Sequence, residues 1–290
     1  MKKRIICLAL AALMVLSAFA FTGCGEKKAN DKYVVGICQL VQHAALDAAT
    51  QGFMDALNEA LPGKVEFQNK NASGEANNCA TIVNGFVSDK VDLIMANATP
   101  ALTAAVSATK DIPVLGTSIT AYGVALDIAD FSGTVGGNVS GTSDLADLSA
   151  QAAMITEWFP DTKTVGLLFC SAEPNSRYQI EEVAKYLADK GIESKEFAFT
   201  DTNDVTAVTQ AAADYADVIY IPTDNTAAAN TEAIANVLIP AKVPAICGEE
   251  GICSGCGVAT LSISYYDLGV TTGKMAAKIL TGEADISTMT

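Results

Sequence analysis

The 290-residue chain carries 33 acidic against 18 basic residues, a net charge of −15, and half of it is apolar. A surface of that sign repels nucleic acid and anionic lipid headgroups, and no basic cluster follows the N-terminal residues to offset it. A Ser-His-Asp triad would depend on His43, the only histidine, and neither a GxSxG elbow nor a GxxxxGK[ST] loop occurs. The expectation is a protein that is not an enzyme and has no cofactor, no metal and no nucleic-acid partner.

In chain order, Lys2, Lys3 and Arg4 precede an apolar run over residues 5–21 that ends in Thr22 and Gly23 before Cys24. This is the pattern of a secretory signal, and the run is short of the roughly 20 residues of a membrane span. The FTGC ending resembles the bacterial lipobox, with Phe21 where leucine is usual. Residues 1–23 are therefore expected to be a lipoprotein signal peptide and Cys24 the acylated mature N-terminus. The polar residues that follow, up to 32, read as a tether. Removing the signal leaves 15 basic and 33 acidic residues, a net charge of −18. The roughly 260 residues beyond exceed the size at which one core keeps growing, which favours two lobes.

Residues 34–38 form a short apolar run, and Leu46, Ala49, Phe53, Leu57 and Leu61 recur at helical spacing until Pro62 and Gly63 stop them. Residues 64–68 read as a strand, and Cys79, Ile82, Val83, Phe86 and Val87 make the stripe of a second helix. Strands at 92–96 and 113–116 bracket a helix with Thr99 as its expected cap and Pro100 in its first turn. The Gly-, Ser- and Asp-rich residues 122–142 suit a crossing between lobes, followed by a helix over 144–158 with Leu145, Leu148, Ala152 and Ile155 inward. A strand at 165–170, a helix carrying Ile180, Val183, Ala184 and Leu187 that closes at Gly191, and a strand near Phe197 restart the pattern. Residues 243–247 end this lobe. Residues 258–263 are expected to return to the first lobe, where Leu268, Thr272, Met275, Ala276 and Ile279 form a last amphipathic helix.

Two stretches repeat one plan at an offset of 125 residues: the segment beginning near Asp92 and the one beginning near Asp217. Each is an apolar strand, a polar turn, an Ala-rich helix and a second strand starting at a proline. The period exceeds the 20–50 residues of solenoid units and suits two α/β lobes with a cleft between them. The expected fold class is therefore α/β: two Rossmann-like parallel-sheet lobes joined by a hinge. Its expected domains are lobe one at 33–125, lobe two at 126–257 and a return to lobe one at 258–290, with a C-terminus that reads as truncated.

Parallel sheets bind ligands outside the carboxyl ends of their strands. The turns there, ICQLVQHAALD, NATPAL, GTSIT, CSAEPNS, PTDN and CGEEG, are rich in hydroxyls, amides and carboxylates at helix N-termini. Backbone N–H groups and the helix dipole favour a carboxylate, and a neighbouring acid favours an ammonium. Together they suit an α-amino acid. Asp224 first and Glu173 second are the expected ammonium partners; Thr99, Ser118 and backbone N–H groups are expected to hold the carboxylate, with Thr117 and Thr120 as further hydroxyl donors. Gln39 and His43 lie in the first turn of lobe one, and Ser176 and Glu249 in turns of lobe two. Thr99, Ser143, Asn175 and Asn225 also read as helix caps, a role compatible with ligand contact.

The segments NVSGTSD (138–144), EPNS (173–176), TDN (223–225) and SYYDLG (264–269) resemble signature segments of the TrpX-like family of ABC-transporter substrate-binding lipoproteins. The opening GICQLVQHAALDAATQGF is also similar, with Ala44 where proline is common, and the likeness runs over about 33–282. It implies the type I periplasmic-binding fold, a lipid anchor on the extracytoplasmic face of the cell membrane, ABC permease subunits as partners, and an aromatic amino acid (Trp, Tyr or Phe) as ligand; a monomer is expected. Branched aliphatic amino acids or a short peptide stay open, as does a ligand-sensing surface lipoprotein or adhesin that keeps the fold without transport. Cys253 and Cys256 form CxxC with Cys247 six residues before, which admits a local disulfide; three thiols lack a fourth zinc ligand. Cys38, Cys79 and Cys170 read as core.

Overall fold

The computed structural model describes residues 32–290, of which Tyr33–Thr290 form one compact unit; the expected signal and Cys24 lie outside the described residues. Five parallel strands build the first sheet: β1 (Tyr33–Gln39), β2 (Val65–Asn71), β3 (Leu93–Asn97), β4 (Val114–Ile119) and β5 (Val139–Ser143), in the order β2-β1-β3-β4-β5. Between them run α1 (Ala44–Ala60), α2 (Ala76–Asp89), α3 (Thr99–Ala108) and the single turn α4 (Tyr122–Ala125). After α5 (Leu148–Trp158), a second parallel sheet is built from β6 (Thr164–Cys170), β7 (Glu193–Phe199), β8 (Val218–Ile221), β9 (Ala245–Cys247) and β10 (Ala259–Thr260), in the order β10-β9-β8-β6-β7. Its helices are α6 (Pro174–Asp189), α7 (Val205–Tyr215), α8 (Asn225–Ala229), α9 (Thr231–Ala241) and α10 (Glu250–Cys256). Counting each strand within its own sheet gives the same order, 2-1-3-4-5, twice. The repeat in the sequence is thus a repeat of topology.

Each sheet is covered on both faces, as parallel sheets require. On the first, Phe86 and Leu102 pack on one face, while Phe53, Leu57 and Ala276 pack on the other. On the second, Phe199 and Leu238 lie on one side and Ile155, Ile180 and Phe169 on the other. Strands β3 and β4 are buried along their full length, which is why β3 opens with the apolar run LIMA and β4 with Val114 and Leu115.

Several expected boundaries move. Residues 122–142 are not a plain crossing: they hold α4 and most of β5, which pairs with β4 in the first sheet, so this sheet continues past 125 to Ser143. Strand β5 was hidden because its sequence, VSGTS, has one large apolar residue and a register shift opposite β4. The helix expected from Asp144 begins at Leu148, capped by Asp147, whose carboxylate accepts from Ala150 N at 3.0 Å. Leu145, expected inward, is exposed. Residues 259–260 pair with β9, so the return to lobe one starts after Thr260 rather than at 258. The two crossings are therefore residues 144–147 and 261–264. Gln151 ties the second of them to lobe two: Tyr220 donates to its Oε1 at 2.6 Å, and its Nε2 donates to Gly248 O at 3.2 Å and Leu261 O at 2.9 Å.

The last long helix, α11 (Tyr265–Leu280), completes lobe one by lying on α1. The approach is close enough to need glycine. A Cβ on Gly52 would stand 2.1 Å from Tyr266 O, and one on Gly269 2.0 Å from Ala49 O. Gly85, on the exposed face of α2, has nothing within 4 Å. Replacing it with alanine removes backbone freedom from the unfolded chain, worth about 0.5–1 kcal/mol, whereas Gly269→Ala forces the helices apart at about 1–3 kcal/mol. Thermal melts are expected to show a raised Tm for Gly85→Ala and a lowered one for Gly269→Ala.

Candidate functional site

The carboxyl edges of the two sheets face each other. Between them lies a cavity lined by His43 and Leu46 from the start of α1, Ser118 and Thr120 after β4, Asp144 at the first crossing and Tyr265 at the start of α11. Lobe two contributes Asn175, Thr223, Asp224, Asn225, Ala228 and Glu249. The lobes are drawn together until about 10 Å³ is left, room for about one water.

The cavity collects unmet hydrogen-bonding capacity. Among the described residues six buried side-chain polar atoms have no partner, and four of them line it: His43 Nδ1, Ser118 Oγ, Asp144 Oδ1 and Asn175 Oδ1. A buried unpaired polar atom costs about 1–3 kcal/mol, so their convergence on one space marks a place where another molecule supplies the partners. Ser118 sits at φ 56°, a left-handed conformation uncommon outside glycine.

Three carboxyls line the cavity and no lysine or arginine does. Asp144, 5% exposed, accepts from Tyr265 OH at 2.8 Å on Oδ2 and has the Thr120 hydroxyl beside it. Burial raises its pKa. Asp224 caps α8, with Oδ1 accepting from Ala227 N at 2.7 Å and Oδ2 from Cys170 N at 2.6 Å; burial, then the charge of Glu173, raises its pKa. Glu249 caps α10 through Gly251 N at 2.6 Å and through Ile252 N, and burial raises its pKa as well. Burial lowers the pKa of His43, outweighing Asn225, Glu173 and Asp47, and so favours the neutral imidazole.

The remaining expected residues are placed otherwise. Glu173 does not line the cavity: its Oε1 accepts from Thr226 N and Oγ1, and its Oε2 from Asn225 N, Asn225 Nδ2 and Asn175 Nδ2, at 2.7–3.2 Å. It ties α6 to α8. Ser176 is wholly buried beneath the lining, next to Asn175. Gln39 is spent inside lobe one, donating to Val41 O and Asp47 Oδ1 and accepting from Thr50 Oγ1. Thr117 belongs to a hydroxyl cluster with Thr142 and Thr272. Thr99 is the first helical residue of α3 rather than its cap, a position taken by Ala98, and it faces a groove beside the cavity. Ser143 is exposed; its hydroxyl donates to Thr120 O and accepts from Leu145 N, closing the turn out of β5. Asn175 and Asn225 are not caps either, because Glu173 and Asp224 take those positions. Asp144 and Tyr265 were missed as site residues although both lie in the motifs NVSGTSD and SYYDLG. Their contact joins residues 121 positions apart, which no local pattern reports. Cys247, Cys253 and Cys256 carry free thiols.

This geometry, two parallel lobes closing on a polar cavity at their strand ends, defines a type I periplasmic-binding fold. Residues 34–289 match the family described as ABC transporter substrate binding protein, and the chain belongs to it. A tyrosine-binding protein of Clostridioides difficile is 33% identical over 97% of this chain and 85% of its own length. The ABC domain of a Streptococcus pneumoniae protein solved in complex with L-Trp superposes with a TM-score of 0.84 at 32% identity, covering 89% of this chain and 87% of that one. The ligand-free, open structure of a Clostridium difficile substrate binding protein with adhesive properties gives 0.64 at 33% identity, over 89% and 88%. Equal identity and coverage with unequal fit is what a rigid-body change between lobes produces. This chain fits the former structure better than the open one.

Asp144 has an ionisation cost that only folding imposes. A carboxyl with a raised folded-state pKa loses stability as pH rises above its unfolded value near 3.8, and below that value the penalty vanishes. Asp144→Asn is therefore expected to raise the Tm of the ligand-free protein at pH 8, with the gain disappearing toward pH 4 in melts across that range.

Proposed function

We propose that this protein is the extracytoplasmic binding component of an ABC importer and captures an aromatic α-amino acid, tyrosine or tryptophan, between its lobes for delivery to a membrane permease. The observation that carries the reading is the convergence of unmet polar atoms on an acid-lined cavity without a cationic side chain. Such a site suits an ammonium. Asp144 is the better partner for it than Asp224, because both oxygens of Asp224 already accept backbone N–H groups while Asp144 Oδ1 accepts none. The ligand carboxylate falls to Ser118 Oγ and to the start of α1, a 17-residue helix with no side-chain cap bond. The tyrosine-binding relative and the L-Trp complex support the aromatic class.

Cys24, at the lipobox-like FTGC ending, is the proposed lipid anchor; among the described residues no helix is long and apolar enough to cross a membrane. A second reading, surface adhesion with the same fold, is supported by likeness to the protein with adhesive properties; deletion that abolishes adhesion but leaves amino-acid uptake intact would favour it.

A thermal-shift screen of the 20 amino acids is the test. L-tyrosine or L-tryptophan is expected to raise the Tm, and calorimetry of Asp144→Asn to show about 10–100-fold weaker binding, the worth of a hydrogen bond to a charged group. No shift with any aromatic amino acid overturns the proposal.

A further inference from the structure

The only histidine of the chain stands where the lobes meet, and its hydrogen-bonding state follows from its neighbours. Asn225 Nδ2 donates to Glu173 Oε2 at 2.7 Å, which fixes that end of the amide as nitrogen and the other as oxygen. Oδ1 of the same residue lies 3.3 Å from His43 Nε2 across the cleft. An amide oxygen only accepts, so Nε2 carries the proton. A neutral imidazole protonated there has a bare lone pair on Nδ1. That atom is buried, unpartnered and on the cavity lining.

Asn175 repeats the logic from lobe two. Its Nδ2 faces three acceptors, Glu173 Oε2 at 3.2 Å, Ser176 Oγ at 3.3 Å and Thr223 O at 3.1 Å, so its unpartnered Oδ1 is an acceptor as well. With Asp144 Oδ1 this makes three unmet acceptors from three separate parts of the chain: the start of α1, the first crossing and the start of α6. A primary ammonium has three N–H donors.

We infer that His43 is a ligand-binding clasp between the lobes: its Nε2–H bonds Asn225 of lobe two while its bare Nδ1 accepts an N–H from the ligand ammonium, which also donates to Asp144 and Asn175. This rests on the amino-acid reading above and deepens it, since it makes the ammonium the group that couples binding to closure. Protonation of His43 converts Nδ1 from acceptor to donor and sets a positive charge against the ligand's own. The charged groups facing the ring, Asp47 on α1 and Glu173 before α6, favour that protonation, and burial opposes it more strongly.

Because the histidine is unique, ring ¹⁵N NMR of the compact unit Tyr33–Thr290 reads it directly. The expected result at pH 7 is a neutral Nε2–H tautomer, with the Nδ1 resonance moving on addition of L-tyrosine or L-tryptophan, and of tyramine at higher concentration. No move is expected with 3-(4-hydroxyphenyl)propionate, which lacks the ammonium. His43→Phe is expected to bind L-tyrosine or L-tryptophan at least about tenfold more weakly, the consequence of leaving donors unpaired. An Nδ1–H tautomer, a protonated ring at pH 7, an Nδ1 resonance indifferent to a bound amino acid, or wild-type affinity in a folded His43→Phe overturns the inference. The tautomer is readable without any ligand, so failure of the amino-acid reading is seen separately, as absence of binding by the wild-type protein.

Discussion

Every strand in both sheets runs parallel to its neighbours, and this constraint organises the molecule. Parallel strands deliver all their carboxyl ends, and the N-termini of the helices that follow, to one edge of each sheet. Two such edges facing each other make a cleft walled by backbone donors. Side chains take some of those donors and leave others free. In lobe two, Asp224 and Glu249 cap α8 and α10, and Glu173 takes further N–H groups of α8. In lobe one, α1, α2 and α3 begin without a side-chain cap bond. The cleft thus sets carboxylates beside uncapped helix N-termini, α6 of lobe two among them, a polarity matched to a zwitterion lying across the gap.

The buried carboxyls make that polarity costly in the protein alone. Taking a charge out of water without a full set of partners is unfavourable, and the raised pKa values of Asp144, Asp224 and Glu249 are the sign of it. A cationic group between them removes the penalty only when both walls reach it. Closure is then favoured in proportion to the difference in ligand affinity between the closed and open arrangements. Stability and binding compete for the same residue where Asp144, whose burial weakens the unliganded fold, is the proposed partner of the ligand.

Much of this was legible in the sequence. The two parallel-sheet lobes, the duplication and most core stripes follow from apolar runs at strand and helix period, which long, fully buried elements impose strongly. The short edge strands β5 and β10 did not announce themselves: the first is mostly Gly, Ser and Thr, and the second is two residues long. Of the site, the strand-end turns pointed to Ser118, Asn175, Asp224, Asn225 and Glu249, all of which line the cavity. The same reasoning placed Gln39, Thr117 and Glu173 beside them, because residue type and turn position do not reveal that a polar group is already saturated by neighbours 2 to 155 positions away. Asp144 and Tyr265 escaped for the complementary reason, their meaning residing in a contact between the first crossing and the start of α11 rather than in either segment.

The seating of α11 on α1 has an implication for how the chain is made. Lobe two lies between two parts of lobe one in sequence, and the partner that α1 needs against Gly52 is α11. During synthesis or export, the N-terminal half of lobe one emerges with Phe53 and Leu57 only partly covered and waits for more than 200 residues before its outer layer arrives. Lobe two has all its own strands and helices well before then. The later lobe in the sequence is thus the first whose own strands and helices are all present, while the earlier one lacks part of its outer layer until α11 arrives.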